Sequence, residues 1–148
     1  MLTGNTPESD RKNLFYLMKW FIEEFKGEKD VGLVVKTNMG RTTAIDKSST
    51  ENLFSSVLKE LGHQGLPRVY LLHGDMSREE MNNLYRSDKI KCYISATRGE
   101  GFGLPLLEAA VAGLPVIATN WSAHTEFLGK GKWISLDYEL KDIFPPKI

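Results

Sequence analysis

The chain has 148 residues, which is one domain's worth of sequence and enough to bury roughly two thirds of its unfolded surface. Nineteen Lys and Arg cancel nineteen Asp and Glu, so no global field favours nucleic acid or an anionic membrane, and any anion binding must be local. No apolar run approaches a membrane span, and Met1-Leu-Thr-Gly lacks the charged and apolar regions of a signal peptide, so the expected setting is soluble and cytoplasmic.

In chain order, Met1-Leu-Thr3 looks like the tail of a first strand, and Gly4-Asn-Thr-Pro7 follows as its turn. Leu14, Leu17, Met18, Phe21, Ile22 and Phe25 recur at helical spacing, behind the basic pair Arg11-Lys12 and Asn13. A strand is expected over Val31 to Val35, then the basic loop Lys36-Thr-Asn-Met-Gly40-Arg41, read as a plain surface loop ahead of a ligand contact. Leu53, Phe54, Val57, Leu58 and Leu61 predict a helix stopping at Gly62. Val69 to Leu72 is the next strand, leading into His73-Gly74-Asp75-Met76. Ser77-Arg-Glu-Glu80 has the form of a capping box for a helix carrying Met81, Leu84 and Tyr85.

Lys91 to Ile94 is the fourth strand when Met1 to Thr3 is counted first, and Cys92 within it is expected to be a buried, reduced thiol pointing to a reducing compartment. Strands over Pro115 to Ala118 and Trp133 to Leu136 flank a last short helix from Ser122. The βαβα alternation implies an α/β fold, a doubly wound parallel sheet of Rossmann-like type with helices on both faces. Ligands of such sheets sit beyond the carboxyl ends of the strands where the order reverses, commonly between the first and fourth strands. The turns meeting there would be Gly4 to Pro7 and Thr97 to Gly103.

That second turn opens the most informative stretch, Arg98-Gly-Glu-Gly-Phe-Gly-Leu-Pro-Leu-Leu-Glu108, followed by Ala109-Ala-Val-Ala-Gly113-Leu-Pro-Val-Ile. Gly99, Gly101 and Gly103 allow backbone N–H groups to approach a ligand, and Pro105 suits a first helical turn. A helix start of this kind attracts phosphate or sugar oxygens. Glu100 in the turn and Glu108 about one turn into the helix could both face one polyhydroxylated ligand, as in a nucleotide sugar. The bland alternative is a structural βα turn with both glutamates solvated. The helix pattern argues against it, since Leu106, Leu107, Ala109, Ala110, Val111 and Ala112 surround Glu108, its only charge.

Glu100, seven intervening residues and Glu108, enclosing Gly101-Phe102-Gly103-Leu104-Pro105 and trailed by Gly113-Leu-Pro115-Val, resemble the donor-site signature of the retaining group 1 glycosyltransferases of the GT-B fold. The resemblance runs from Gly4 to about Leu136 and is densest from Ile94 to Thr125. It implies that residues 1–148 are one nucleotide-sugar-binding domain, the C-terminal half of a two-domain enzyme whose N-terminal, acceptor-binding half is absent. It implies that Glu100 is the catalytic-site contact to the transferred sugar, that Glu108 holds the ribose, and that Gly101, Phe102, Gly103 and Leu104 hold sugar and phosphate. Lys12 and Arg11 would hold the pyrophosphate beside Gly4. Relatives often carry an arginine directly after that first glycine; this chain has Asn5, so Arg11 substitutes or phosphate binding weakens. Gly74 and Met76 would line the base.

The implied donor is a UDP- or GDP-sugar, without cofactor or metal, and the implied acceptor is a sugar, glycan or lipid bound by the missing half. His63, His73 and His124 lack metal-ligand spacing, and the latter two could be mistaken for catalytic bases. A noncatalytic nucleotide or sugar-phosphate module and a sugar-nucleotide epimerase remain alternatives on the same scaffold. A phosphorylase of this fold would need a lysine suited to pyridoxal phosphate, and none is convincing.

Overall fold

The computed structural model describes residues 10–37, 40, 42–62 and 65–141, so the expected first strand, Gly4, Asn5, Arg41, His63 and the Phe144 to Ile148 end lie outside the described residues. Ten elements alternate along the chain: α1 (Leu14–Glu24), β1 (Gly32–Thr37), α2 (Ala44–Glu60), β2 (Arg68–His73), α3 (Arg78–Tyr85), β3 (Tyr93–Ser95), α4 (Leu104–Val111), β4 (Val116–Thr119), α5 (Thr125–Leu128) and β5 (Ile134–Leu136). Every described strand pairing is parallel. β1 pairs with β2, Gly32 opposite Arg68 and Thr37 opposite His73. β4 lies between β3 and β5, with Tyr93 opposite Val116 and Ile117 opposite Ile134. The described strands thus form a two-stranded and a three-stranded group. The expected first strand, Met1 to Thr3, is outside the described residues.

Two apolar clusters hold these groups. Met18, Leu33 and Val35 form one, against Phe54, Val57 and Leu58 of α2 and against Ile94 of β3. Ile94 therefore ties the three-stranded group to the core of the two-stranded one. Leu106, Ala109, Leu114, Val116, Ala118 and Leu128 form the other with Tyr85. These are the short apolar runs that the sequence offers, and parallel strands covered by helices bury them on the pleat.

Several expectations are corrected. α2 begins at Ala44, nine residues before Leu53, because Thr43 caps it by accepting from the Asp46 N–H at 3.2 Å. The apolar period misses that first half, which is polar and mostly exposed. Cys92 is exposed: it precedes β3, which starts at Tyr93, so it stands at the strand mouth and not on the buried pleat. α5 starts at Thr125, three residues after Ser122. α4 is less enclosed than its composition implies, burying Leu106 and Ala109 while Leu104 and Val111 are exposed. The capping box of α3 forms as expected, with Ser77 and Glu80 bonded reciprocally.

Candidate functional site

The site grows from two loops, the one ahead of α1 and the one after β3. On one side, Asp10 is 1% exposed and its carboxylate accepts from the N–H of Lys12 at 3.1 Å and of Leu14 at 2.8 Å. A buried anion thereby takes the orphan donors at the start of α1, where the helix dipole favours it. Asn13, the residue before the helix, adopts a left-handed φ of 56°. This tight approach places Arg11 and Lys12 just ahead of α1, against the turn after β3.

The two loops are stitched by hydrogen bonds onto backbone carbonyls. The Arg98 N–H donates to the Arg11 carbonyl at 2.9 Å, the Thr97 hydroxyl donates to the same carbonyl at 3.2 Å, and Arg98 Nη1 donates to the Asp10 carbonyl at 3.2 Å. Thr97 is fully buried. The Arg98 guanidinium lies 6.0 Å from the centre of the Tyr16 ring of α1. The structure thus brings the Arg11-Lys12 segment to the Thr97 to Gly103 turn, while the Gly4 to Pro7 turn expected to meet it lies outside the described residues.

Glu100 stands at the junction. Lys12 Nζ donates to its Oε1, Arg11 Nη1 lies 3.5 Å from its Oε2, and Arg11 Nη1 also donates to the Gly99 carbonyl. Burial pushes the Glu100 carboxyl up, but Lys12, Arg11 and the Thr97 hydroxyl together outweigh it and hold the group below its usual range. Glu100 is therefore an anion embedded among cations, and with Asp10 and Arg98 included three basic side chains stand against two carboxylates, which leaves the spot locally positive.

Beyond it the chain turns through Gly101, Phe102 and Gly103 into α4. Gly103 has φ 87° and is buried; a Cβ there would stand 3.0 Å from the His124 Cβ and 3.1 Å from Leu106 Cδ1. Pro105 occupies the first turn of α4. Gly101, Phe102 and Leu104 are exposed, and the Phe102 ring rests 5.7 Å from that of Phe127. Glu108 is the fifth residue of α4 and half-buried, and no described residue donates a hydrogen bond to its carboxylate. Its charge helps push the Tyr85 phenol up to about 12, after burial. Burial first, then Tyr85 and both Glu100 and Glu108, push the Tyr93 phenol up as well. One half-buried ring on β3 thus feels both carboxylates.

Gly74 and Met76 belong to a separate cluster at the end of β2. Gly74 is buried with φ 98°, its carbonyl accepts from Lys36 Nζ, and Met76 is half-buried. His73 Nε2 lies 2.7 Å from Asp46 Oδ2, both side chains nearly buried, which joins β2 to the first turn of α2. His124 donates from Nε2 to the Thr119 carbonyl at 2.7 Å, and its Nδ1 is buried without a partner. Both histidines serve the scaffold. Among the described residues no group of three metal-ligating side chains assembles.

Thr97, Ser122 and Asp10 are the site's residues that the sequence reading missed. Asp10, three residues before the N-cap position, carried a recognisable signal as a helix-start carboxylate; Ser122 carried none, because its Glu100 partner is 22 residues away, and the bond from Thr97 to Arg11 carried none for the same reason. Ser122 Oγ accepts from the Glu100 N–H at 2.9 Å and donates to the Glu100 carbonyl at 2.6 Å.

A profile of the family described as glycosyl transferases group 1 matches residues 50–139. The chain belongs to that family. The matched stretch takes in the Glu100 to Glu108 turn, α4 and the Gly74 to Met76 loop, while Arg11 and Lys12 lie before it. This group 1 chain is also similar to sucrose synthases: that of Denitrovibrio acetiphilus, 30% identical over 126 residues, covers 82% of the chain. The enzyme of Melioribacter roseus is 26% identical and that of Solanum tuberosum 29% identical, each over 129 residues, covering 81% and 82% of the chain. The chain spans only 16%, 16% and 15% of these relatives' own lengths.

Proposed function

We propose that this chain binds a nucleoside-diphosphate sugar and serves retaining transfer of its hexose-type sugar to an acceptor. The observation that carries the reading is the meeting of Arg11, Lys12 and Glu100 at the glycine turn that starts α4, with Glu108 on the same helix. An anionic diphosphate suits a locally positive turn at a helix start. A ribose suits the half-buried carboxylate of Glu108, which has room to accept hydroxyl hydrogen bonds. The diphosphate competes with Glu100 for the two cations, and the carboxylate so released accepts from sugar hydroxyls. Gly74 and Met76 line the base. The nucleotide sugar, of UDP or GDP type, is the substrate, and the proposal includes no resident cofactor or metal.

In the reaction the bond from the sugar's anomeric carbon to the diphosphate oxygen breaks, and a bond from the acceptor oxygen to that carbon forms on the same face. The acceptor's proton passes to the departing diphosphate. Arg11 and Lys12 stabilise the charge that develops on that leaving group, the role that a divalent ion fills elsewhere. The acceptor's own contacts come from a partner domain outside this sequence, so the chain by itself binds donor without turning it over. Orientation of both reactants supplies roughly 7–11 kcal/mol of such a barrier.

Titration of the folded chain with UDP, GDP and ADP by calorimetry or NMR tests the reading. Saturable binding of one of them, with shifts at Lys12, Glu100 and Glu108, is expected. Absence of binding by all three removes the donor site.

A further inference from the structure

Ser122 sits in the loop between β4 and α5 with φ 92°, one of the two non-glycine residues at positive φ among the described residues. A serine in that region is strained, and a glycine would adopt it freely. What the serine adds is its hydroxyl, and the hydroxyl both donates and accepts. It accepts from the Glu100 N–H at 2.9 Å and donates to the Glu100 carbonyl at 2.6 Å, across 22 residues of sequence. The clamp is itself anchored, since the Ser122 carbonyl accepts from the Thr125 N–H at 3.1 Å and from the Thr125 hydroxyl at 2.8 Å.

We infer that Ser122 is a positioning residue that fixes the backbone on both sides of Glu100 and so sets where its carboxylate meets the sugar. Lys12 and Arg11 hold the far end of that side chain, and Arg11 also holds the Gly99 carbonyl ahead of it, but neither bonds the N–H or the carbonyl of Glu100 itself. A carboxylate released from them by a diphosphate swings about its own backbone unless the backbone is pinned. Backbone strain persists where the surroundings over-determine it, commonly at sites that need a defined geometry. The Glu100 N–H, occupied by Ser122, is also withdrawn from ligand binding, which leaves the N–H groups from Gly101 onward to hold phosphate.

This inference rests on the donor-site reading above, and the test separates the two. Ser122→Gly removes the hydroxyl and relieves the strain; Ser122→Ala removes the hydroxyl and keeps the strain. Each is titrated beside the unaltered chain with UDP and UDP-glucose, GDP and GDP-glucose, and ADP and ADP-glucose. In the pair that binds, both variants should lose about tenfold in affinity for the sugar conjugate while affinity for the diphosphate stays within about twofold. The melting temperature of Ser122→Gly should not fall, and hydrogen exchange at the Glu100 amide should accelerate in both variants. Equal weakening of diphosphate and conjugate, or no change in either, overturns the positioning role while leaving the donor site intact. Failure of the unaltered chain to bind any of the six ligands removes the donor site and the inference with it.

Discussion

Glu100 and Glu108 lie eight positions apart yet meet different surroundings, one among cations and the other beside tyrosines. Glu108→Ala should weaken diphosphate and sugar conjugate alike, by about 1.5–3 kcal/mol for lost charge-assisted hydrogen bonds, whereas Glu100→Gln should spare the diphosphate. Calorimetric titration distinguishes them, and loss of diphosphate binding in a folded Glu100→Gln chain would show the assignment of roles to be wrong. Glu100 also makes a pH prediction. Its carboxyl is held below its usual range in the folded chain, so the folded state binds fewer protons there than the unfolded one. The stabilisation is complete above the unfolded value near about 4.3 and fades as pH falls through the lower folded value. Lys12→Met removes most of what opposes burial. The variant should be less stable at neutral pH by no more than about 1 kcal/mol, because solvent screens the pair. The deficit should shrink below about pH 4, as urea unfolding at several pH values would show.

The elements around the site are joined at a few positions where a side chain's size or charge decides the geometry. Gly103 combines φ 87° with contacts of 3.0 and 3.1 Å to any added Cβ, so Gly103→Ala meets both backbone strain and crowding against His124 and Leu106. A loss of about 2–3 kcal/mol is expected in urea unfolding, with the first turn of α4 displaced and donor affinity lowered. The Asp46 to His73 contact ties α2 to the end of β2 with side chains 11% and 8% exposed. Asp46→Ala leaves a nearly buried ring nitrogen without its partner and should cost about 1–3 kcal/mol. A double-mutant cycle with His73→Ala should show coupling above about 0.5 kcal/mol, and strict additivity would mean the contact contributes nothing.

Across the whole molecule the site is assembled from ends of elements that belong to two apolar clusters, with Ile94 of β3 touching the cluster that holds α1 and β1. The placement of Arg11 and Lys12 against Glu100 therefore depends on that packing as well as on the loop bonds. In the proposed donor site the positive charge comes from protein side chains and helix N–H groups. Addition of EDTA should consequently leave nucleoside-diphosphate affinity unchanged in the titration described above, and a strict need for magnesium or manganese would contradict the arrangement.

Local pattern alone determined much of this protein. Apolar spacing located α1, the capping residues Ser77 and Glu80 located α3, and the short apolar runs located every described strand to within a few residues. The glycines and proline before Leu106 marked the turn into α4, because a left-handed φ and a first-turn proline are properties of single residues. The polar first half of α2 escaped, since its helix is held by the Thr43 cap and by partners on β2 instead of by an apolar stripe. Cys92 was misplaced because an apolar neighbourhood in sequence does not say where a strand begins. What only the tertiary structure decided is the pairing across the crevice: Lys12 with Glu100 over 88 residues, and Ser122 with the same glutamate over 22. Those partners are chosen by how the strand ends come together in the packed core, and a hydroxyl or an ammonium in the sequence carries no mark of the distant group that it will meet.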